Sequence, residues 1–169
     1  VQEERMHYKF RGDMEPTAVV LHFTGGDDFD IAKTTMETGQ YNYQNGLACH
    51  LMVDVNGVGY QLMDSLQEIS ACQRGLNTNG GIGIEIVGKN EATLKANVTQ
   101  KNSVKQIVQF IVDEFVIPPN NTNIAGKAGV FSHQQVCKVI LGTECNGKMD
   151  PGEDYMKEIL TSLDDGEYT

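Results

Sequence analysis

The chain has 169 residues, 40% hydrophobic and 21% charged, a balance that suits one globular domain and excludes a disordered or fibrous protein. Thirteen basic against 23 acidic residues leave a net charge of −10, which argues against a nucleic-acid partner. No apolar stretch approaches the ~20 residues that cross a bilayer, so no membrane insertion is expected. The opening Val-Gln-Glu-Glu-Arg lacks both an apolar signal-peptide core and an initiator Met, which reads as a processed or trimmed chain. With no repeat or low-complexity linker, residues 1–169 are expected to form a single domain with its core over about 18–163.

Ala18 to Phe23 is too apolar for a half-exposed strand and reads as a buried one. Gly25-Gly26 breaks it, and Asp27 or Asp28 is placed to cap a helix running to about Gly39, with Phe29, Ala32 and Met36 on its inner face. From Leu47 to Val55 the side chains alternate, Leu47, Cys49, Leu51, Val53 and Val55 to one side and Ala48, His50, Met52 and Asp54 to the other. Asn56-Gly57 predicts a two-residue hairpin turn, and Val58 to Met63 the returning strand. Asn77 to Gly80 either is an ordinary surface turn or lines a groove leading into the strand Ile82 to Val87.

Val104, Ile107, Val108, Ile111 and Phe115 then follow the 3.6-residue period of a helix over Ser103 to Val116, ended by Pro118-Pro119. Val130-Phe131 is a short strand, and Glu153 to Leu163 a last helix with Tyr155, Met156, Ile159, Leu160 and Leu163 inward. Strands alternating with helices around one hairpin predict an α/β fold, a mixed central sheet flanked by helices. Cys137 and Cys145 stand eight apart; they either pair in an oxidising compartment or remain buried thiols, and the state of Cys49 and Cys72 is open.

Chemistry concentrates at three places. His22 ends the first apolar strand, and His133 follows Gly129-Val130-Phe131-Ser132 in the same way. Strand ends gather side chains from distant sequence at one edge of a sheet. Asp150 closes Gly147-Lys148-Met149-Asp150-Pro151-Gly152 and, on local physics, reads as the N-cap of the last helix, with Pro at N1 and Glu153 at N3. Two imidazoles and one carboxylate are also the ligand set of a catalytic zinc that keeps a fourth position open. Finally, Glu85 stands within Gly81-Ile82-Gly83-Ile84-Glu85-Ile86-Val87-Gly88, where a carboxylate is costly unless it is paired, metal-linked or on an edge strand facing water.

The order His22, Ile-Gly-Ile-Glu at 82–85, His133 and Gly-Lys-x-Asp-Pro-Gly at 147–152 resembles the zinc-dependent N-acetylmuramoyl-L-alanine amidases, a family that includes phage lysozyme-type amidases and peptidoglycan recognition proteins. The resemblance runs from about Ala18 to Tyr155. It implies their α/β fold, zinc held by His22, His133 and Asp150, Glu85 as catalytic acid–base, and Lys148 stabilising the oxyanion. It also implies a peptidoglycan or muropeptide substrate and an extracytoplasmic setting. The alternative it carries is a non-catalytic peptidoglycan-binding module, in which a zinc ligand is typically replaced; the intact trio favours the enzyme. A zinc peptidase on another scaffold calls for His-Glu-x-x-His, which this sequence lacks.

The chain departs from the family at two places. Cys49 stands where some relatives carry a tyrosine, and Cys72-Gln73-Arg74-Gly75 where many carry Trp-His-Ala-Gly. Arg74 is then either a replacement contact to a substrate carboxylate or a solvated surface arginine. The 17-residue interval from His133 to Asp150 suggests an inserted loop over Gln134 to Asn146. His50 reads as structural and His7 carries no assigned role.

Overall fold

The computed structural model describes residues 1–38, 47–145 and 150–164. Its centre is a six-stranded mixed sheet of β1 (Gln2–Glu3), β2 (Ala18–Phe23), β3 (Leu51–Val53), β4 (Gly59–Gln61), β5 (Gly81–Ile86) and β6 (Gly129–Ser132), in the order β1-β4-β3-β5-β2-β6. Every pairing is parallel except the β3–β4 hairpin. The helices are α1 (Phe29–Thr38), α2 (Glu91–Ala96), α3 (Val98–Phe115), α4 (His133–Val136) and α5 (Glu153–Ser162), with a π-helical segment Cys137–Leu141 continuing α4. This is the mixed sheet flanked by helices that the alternation of periods predicts. No helix among the described residues is long and apolar enough to cross a membrane.

The period-2 pattern of the central strands sorts their side chains onto two faces. Val19 and Leu21 of β2 and Ile82, Ile84 and Ile86 of β5 pack with Val104, Val108, Ile111 and Val112 of α3 and Tyr155, Met156 and Ile159 of α5. Each fully buried aliphatic side chain there contributes ~1.5–3 kcal/mol, so this layer is the main hydrophobic store of the fold. The opposite face carries two smaller clusters. Met36 of α1 joins Met6, Cys49, Met52, Leu62 and Val87, while Ala18 and Val20 join Leu76, Phe131 and Val136. The sheet surface between those two clusters belongs to β2 and β5.

Several expectations change on contact with tertiary structure. The Leu47–Val55 strand shortens to Leu51–Val53; Cys49 packs in the same cluster as Met52 and not with Leu51 and Val53, so the alternation breaks at His50. The hairpin turns through Asp54–Gly57, with Gly57 N–H donating to the Asp54 carbonyl (3.0 Å) and Asp54 N–H to that of Val58 (2.9 Å). Gly57 alone takes a positive φ there (80°), so this is a three-residue loop with a glycine bulge and not the two-residue turn expected. Asp54 Oδ1 accepts from the backbone of Asn56 and Val58, both at 2.9 Å, and fixes this choice. The strand bearing Glu85 is interior, between β3 and β2, which removes the edge-strand explanation for its carboxylate.

Helix α3 begins five residues earlier than its apolar period shows, because Asn97 Oδ1 accepts from Gln100 N–H (3.1 Å) and caps it. Helix α2 lacks an apolar period and escapes sequence reading, although Asn90 and Thr93 form a reciprocal capping box. The region 134–146 begins as helix and π-helix rather than as an inserted loop.

The start of α5 bears directly on function. Its N-cap is Gly152, with no side-chain cap of its own, so Asp150 lies outside the helix and the local capping box does not form. The stabilising carboxylate comes instead from α2: Glu91 Oε1 accepts from the Tyr155 N–H at 3.3 Å. We expect Glu91→Ala to lower stability by ~1 kcal/mol through loss of this contact at the helix N-terminus, read as a lower urea midpoint at unchanged slope. An unchanged midpoint would show that the α5 terminus does not depend on α2.

Candidate metal centre

His22 is the fifth residue of β2 and the in-register neighbour of Glu85 on β5. Laterally paired residues of parallel strands project to the same face. Both therefore belong to the face opposite α3, on the strip between the two smaller clusters. β6 flanks β2 on its other side, Leu21 pairing with Ser132, so the chain leaves β6 beside His22. Ser132 then starts α4 with a reciprocal capping box: its Oγ accepts from Gln135 N–H (3.1 Å), and Gln135 Oε1 from Ser132 N–H (2.9 Å). That cap fixes the direction in which His133, the first helical residue, leaves the sheet. Asp150 reaches the same point from the segment before α5.

The outcome is one cluster. His22 Nδ1 and His133 Nδ1 lie 3.0 Å apart, their rings nearly perpendicular at 84°, and His133 Nδ1 lies 3.5 Å from Asp150 Oδ1. Ligand atoms of all three residues fall within 4.8 Å of one another, a group that can hold a metal ion. His22 is 2% and Asp150 5% exposed, while His133 is half-buried and gives the cluster its open side. In neutral imidazoles protonated on Nε2, both Nδ1 atoms carry lone pairs. Two lone pairs and a carboxylate oxygen facing one point are a donor set for a cation. Tetrahedral zinc with bonds of ~2.0–2.1 Å sets its ligand atoms about 3.3 Å apart, and the separations of 3.0 and 3.5 Å bracket that value.

Glu85 is half-buried beside this cluster. Two residues earlier, Gly83 leaves room on the same face for two thiols: a Cβ there would collide with Cys72 Sγ and crowd Cys49 Sγ. Cys49 and Cys72 are unbridged. Burial above all, then Cys72 and the Glu85 carboxylate, push the Cys49 thiol well above its ordinary pKa, so it stays protonated beside the site. Cys49 and Cys72, two of the positions where the chain departs from the family pattern, thus pack as sulfur against the strand that bears Glu85. Sequence reasoning did not place these thiols there; the glycine at 83, between two isoleucines, was the available signal.

Arg74 is exposed, and Gln73 is buried with its Nε2 donating to the Arg74 carbonyl (3.1 Å). Asn77 Oδ1 accepts from Cys72 N–H, Gln73 N–H and Ser70 Oγ–H, which organises this turn. Asn77 to Gly80 lead into the N-terminal end of β5, about four residues of strand away from Glu85, as an ordinary turn does. Lys148 lies outside the described residues. Cys137 and Cys145 form a disulfide, Cα atoms 5.7 Å apart, which resolves the alternative left open by their spacing.

His50 is structural, as expected. Its Nε2–H donates to the Glu68 carbonyl (2.7 Å) and its Nδ1 accepts from Gly83 N–H (3.0 Å), so the ring is neutral. Burial pushes its pKa down to about 4, against the opposing pull of the Glu68 bond. Because the folded pKa lies below that of the unfolded chain, ~6.5, His50 stabilises fully above that pH, and the contribution is lost as pH falls towards 4. We expect the urea midpoint to fall between pH 6.5 and 4, by a few kcal/mol in stability at most. His50→Gln should flatten this dependence; equal pH slopes in both proteins would assign the acid sensitivity to other groups.

Comparison with known proteins places this geometry. The sequence profile described as N-acetylmuramoyl-L-alanine amidase matches residues 12–153. No curated protein sequence matches the chain. Among solved structures, the N-acetylmuramoyl-L-alanine amidase LysC from Clostridium intestinale superposes with a TM-score of 0.69 at 16% identity, covering 95% of this chain and 94% of that one. The Staphylococcus aureus hydrolase AmiA gives 0.70 at 16% identity, covering 95% and 81%. Drosophila PGRP-LB gives 0.62 at 17% identity, covering 98% and 93%. At these identities the superpositions speak for the fold, and the profile for the family. With its mixed sheet and a metal-competent His, His and Asp group gathered on one sheet face, the chain belongs to the N-acetylmuramoyl-L-alanine amidase family.

Proposed function

We propose that this protein hydrolyses the lactyl amide between N-acetylmuramic acid and the L-alanine of the stem peptide, with zinc held by His22, His133 and Asp150. The observation that carries the assignment is the convergence of the two Nδ1 atoms and the Asp150 carboxylate. Two neutral imidazoles and one carboxylate leave a dication with a net positive charge, which suits a site that must gather a water and a carbonyl oxygen. Zinc held there would supply Lewis acidity, polarising the scissile carbonyl and making the attacking water more acidic.

The protein's own part is proton traffic and positioning. Glu85, beside His22 on the same face, takes the proton of the attacking water and returns it to the departing amine nitrogen. Its place on an interior strand keeps its backbone fixed by ladder hydrogen bonds on both sides. The resemblance assigns Lys148 to the developing oxyanion, where a cation offsets charge absent from the ground state. A non-catalytic binding role is disfavoured because all three metal-competent side chains are present and converge.

We propose an extracytoplasmic setting, which suits a peptidoglycan substrate and is supported by the Cys137–Cys145 disulfide, a bond that persists in oxidising compartments. Digestion of purified muropeptides, followed by mass detection of free stem peptide, tests the proposal. Release of intact stem peptide that stops on chelation and returns with zinc is the expected result. Binding without cleavage would instead assign the chain to the recognition role.

A further inference from the structure

The disulfide stands beside the metal centre. Cys137 lies one helical turn after His133, at i+4, and Cys145 returns to it through Gly142, which takes a positive φ of 65°. Together, His133, Cys137 and Cys145 form a second group whose ligand atoms lie within 4.8 Å of one another, and His133 belongs to both groups. Cys137 is buried, but Cys145 and His133 are half-buried, so a soluble dithiol can reach the bond. We propose that reduction of Cys137–Cys145 creates a thiolate metal site, His133 with Cys137 and Cys145, that captures the ion from His22, His133 and Asp150 and silences the amidase.

The inference rests on the proposed metal centre only for the ion's starting place. The chemistry balances with a dithiol as the reductant. Its two thiols give two electrons and two protons; the Cys137–Cys145 bond breaks, each sulfur becomes a thiol, and the reductant closes its own disulfide. On metal capture the two Cys thiols release their protons to solvent. A zinc ion gains two thiolates, soft ligands it binds strongly, in place of the His22 imidazole and the Asp150 carboxylate. A neutral imidazole offers one lone pair, so His133 serves one ion at a time, and its use by the second set leaves the first with only His22 and Asp150.

Cobalt(II), with its thiolate charge-transfer absorption, is the probe. Oxidised protein should take up about one cobalt without that absorption. Reduced protein should show it, together with loss of muropeptide hydrolysis, and reoxidation should reverse both. Asp150→Asn should strip cobalt from oxidised protein yet leave the absorption of reduced protein intact; Cys137→Ser should abolish it. Metal should also block iodoacetamide labelling of Cys137 and Cys145 in reduced wild-type protein, mapped by peptide mass, which needs no variant to fold. A reduced protein without the absorption, or a Cys137→Ser protein that keeps it through Cys49 and Cys72, overturns the proposal. Failure of oxidised protein to bind cobalt would instead strike the amidase metal centre, leaving the thiolate measurement independent.

Discussion

His22→Ala and His133→Ala are each expected to weaken zinc at least ~100-fold and to abolish muropeptide hydrolysis. Outer-shell changes alone cost 10–100-fold in metal affinity, and removing a ligand atom costs more. The two variants should differ in stability. His22 is buried within β2, so truncation also leaves a cavity in the sheet face, whereas His133 is half-buried at a helix start. Asp150→Ala separates two explanations of one residue. Because the N-cap of α5 is Gly152 and its carboxylate contact comes from Glu91, Asp150→Ala should strip zinc without the loss of stability that follows a lost cap. Full zinc content in Asp150→Ala, measured by atomic absorption on purified protein, would send the search for the third ligand elsewhere.

Glu85→Gln should keep zinc and fold while losing turnover by at least ~100-fold, the lower end of a general acid–base contribution. The substitution is nearly isosteric, and it removes the negative charge and with it the ability to carry a proton. Its main alternative, a structural carboxylate, predicts the reverse pattern: a lower unfolding midpoint with kcat preserved. Near-wild-type kcat in Glu85→Gln would remove this residue from the chemistry. Lys148→Ala should also lower kcat at constant zinc content, through lost oxyanion stabilisation. In both variants zinc content has to be read alongside rate, since an empty site mimics a dead catalyst.

How much of this was legible in the sequence differs from element to element. Ile82, Ile84 and Ile86 declared a buried strand with a carboxylate on its other face, because side-chain alternation has a period of two and needs no partner to be seen. Val104 to Phe115 declared its helix for the same reason at period 3.6, yet its true start lay hidden in Asn97, a cap whose signal is one polar residue. His22 and His133 were marked by the strands that end in them. By itself, however, a strand end does not say which other strand end it meets; it was the resemblance that joined them.

Tertiary structure decided the remainder. That β2 lies between β5 and β6 puts His22 next to both Glu85 and the exit towards His133, a long-range order with no local signature. Asp150 was ambiguous because Asp-Pro-Gly-Glu satisfies a local capping rule, and only the packing of α2 against α5 released it from that duty. The hairpin at Gly57 and the broken alternation at His50 were likewise settled by neighbours, Asp54 in one case and the Gly83 backbone in the other. Periodicity and composition report what each segment buries. Which buried surfaces meet is a property of the assembled chain, because contact energy between segments far apart in sequence is absent until they fold against one another.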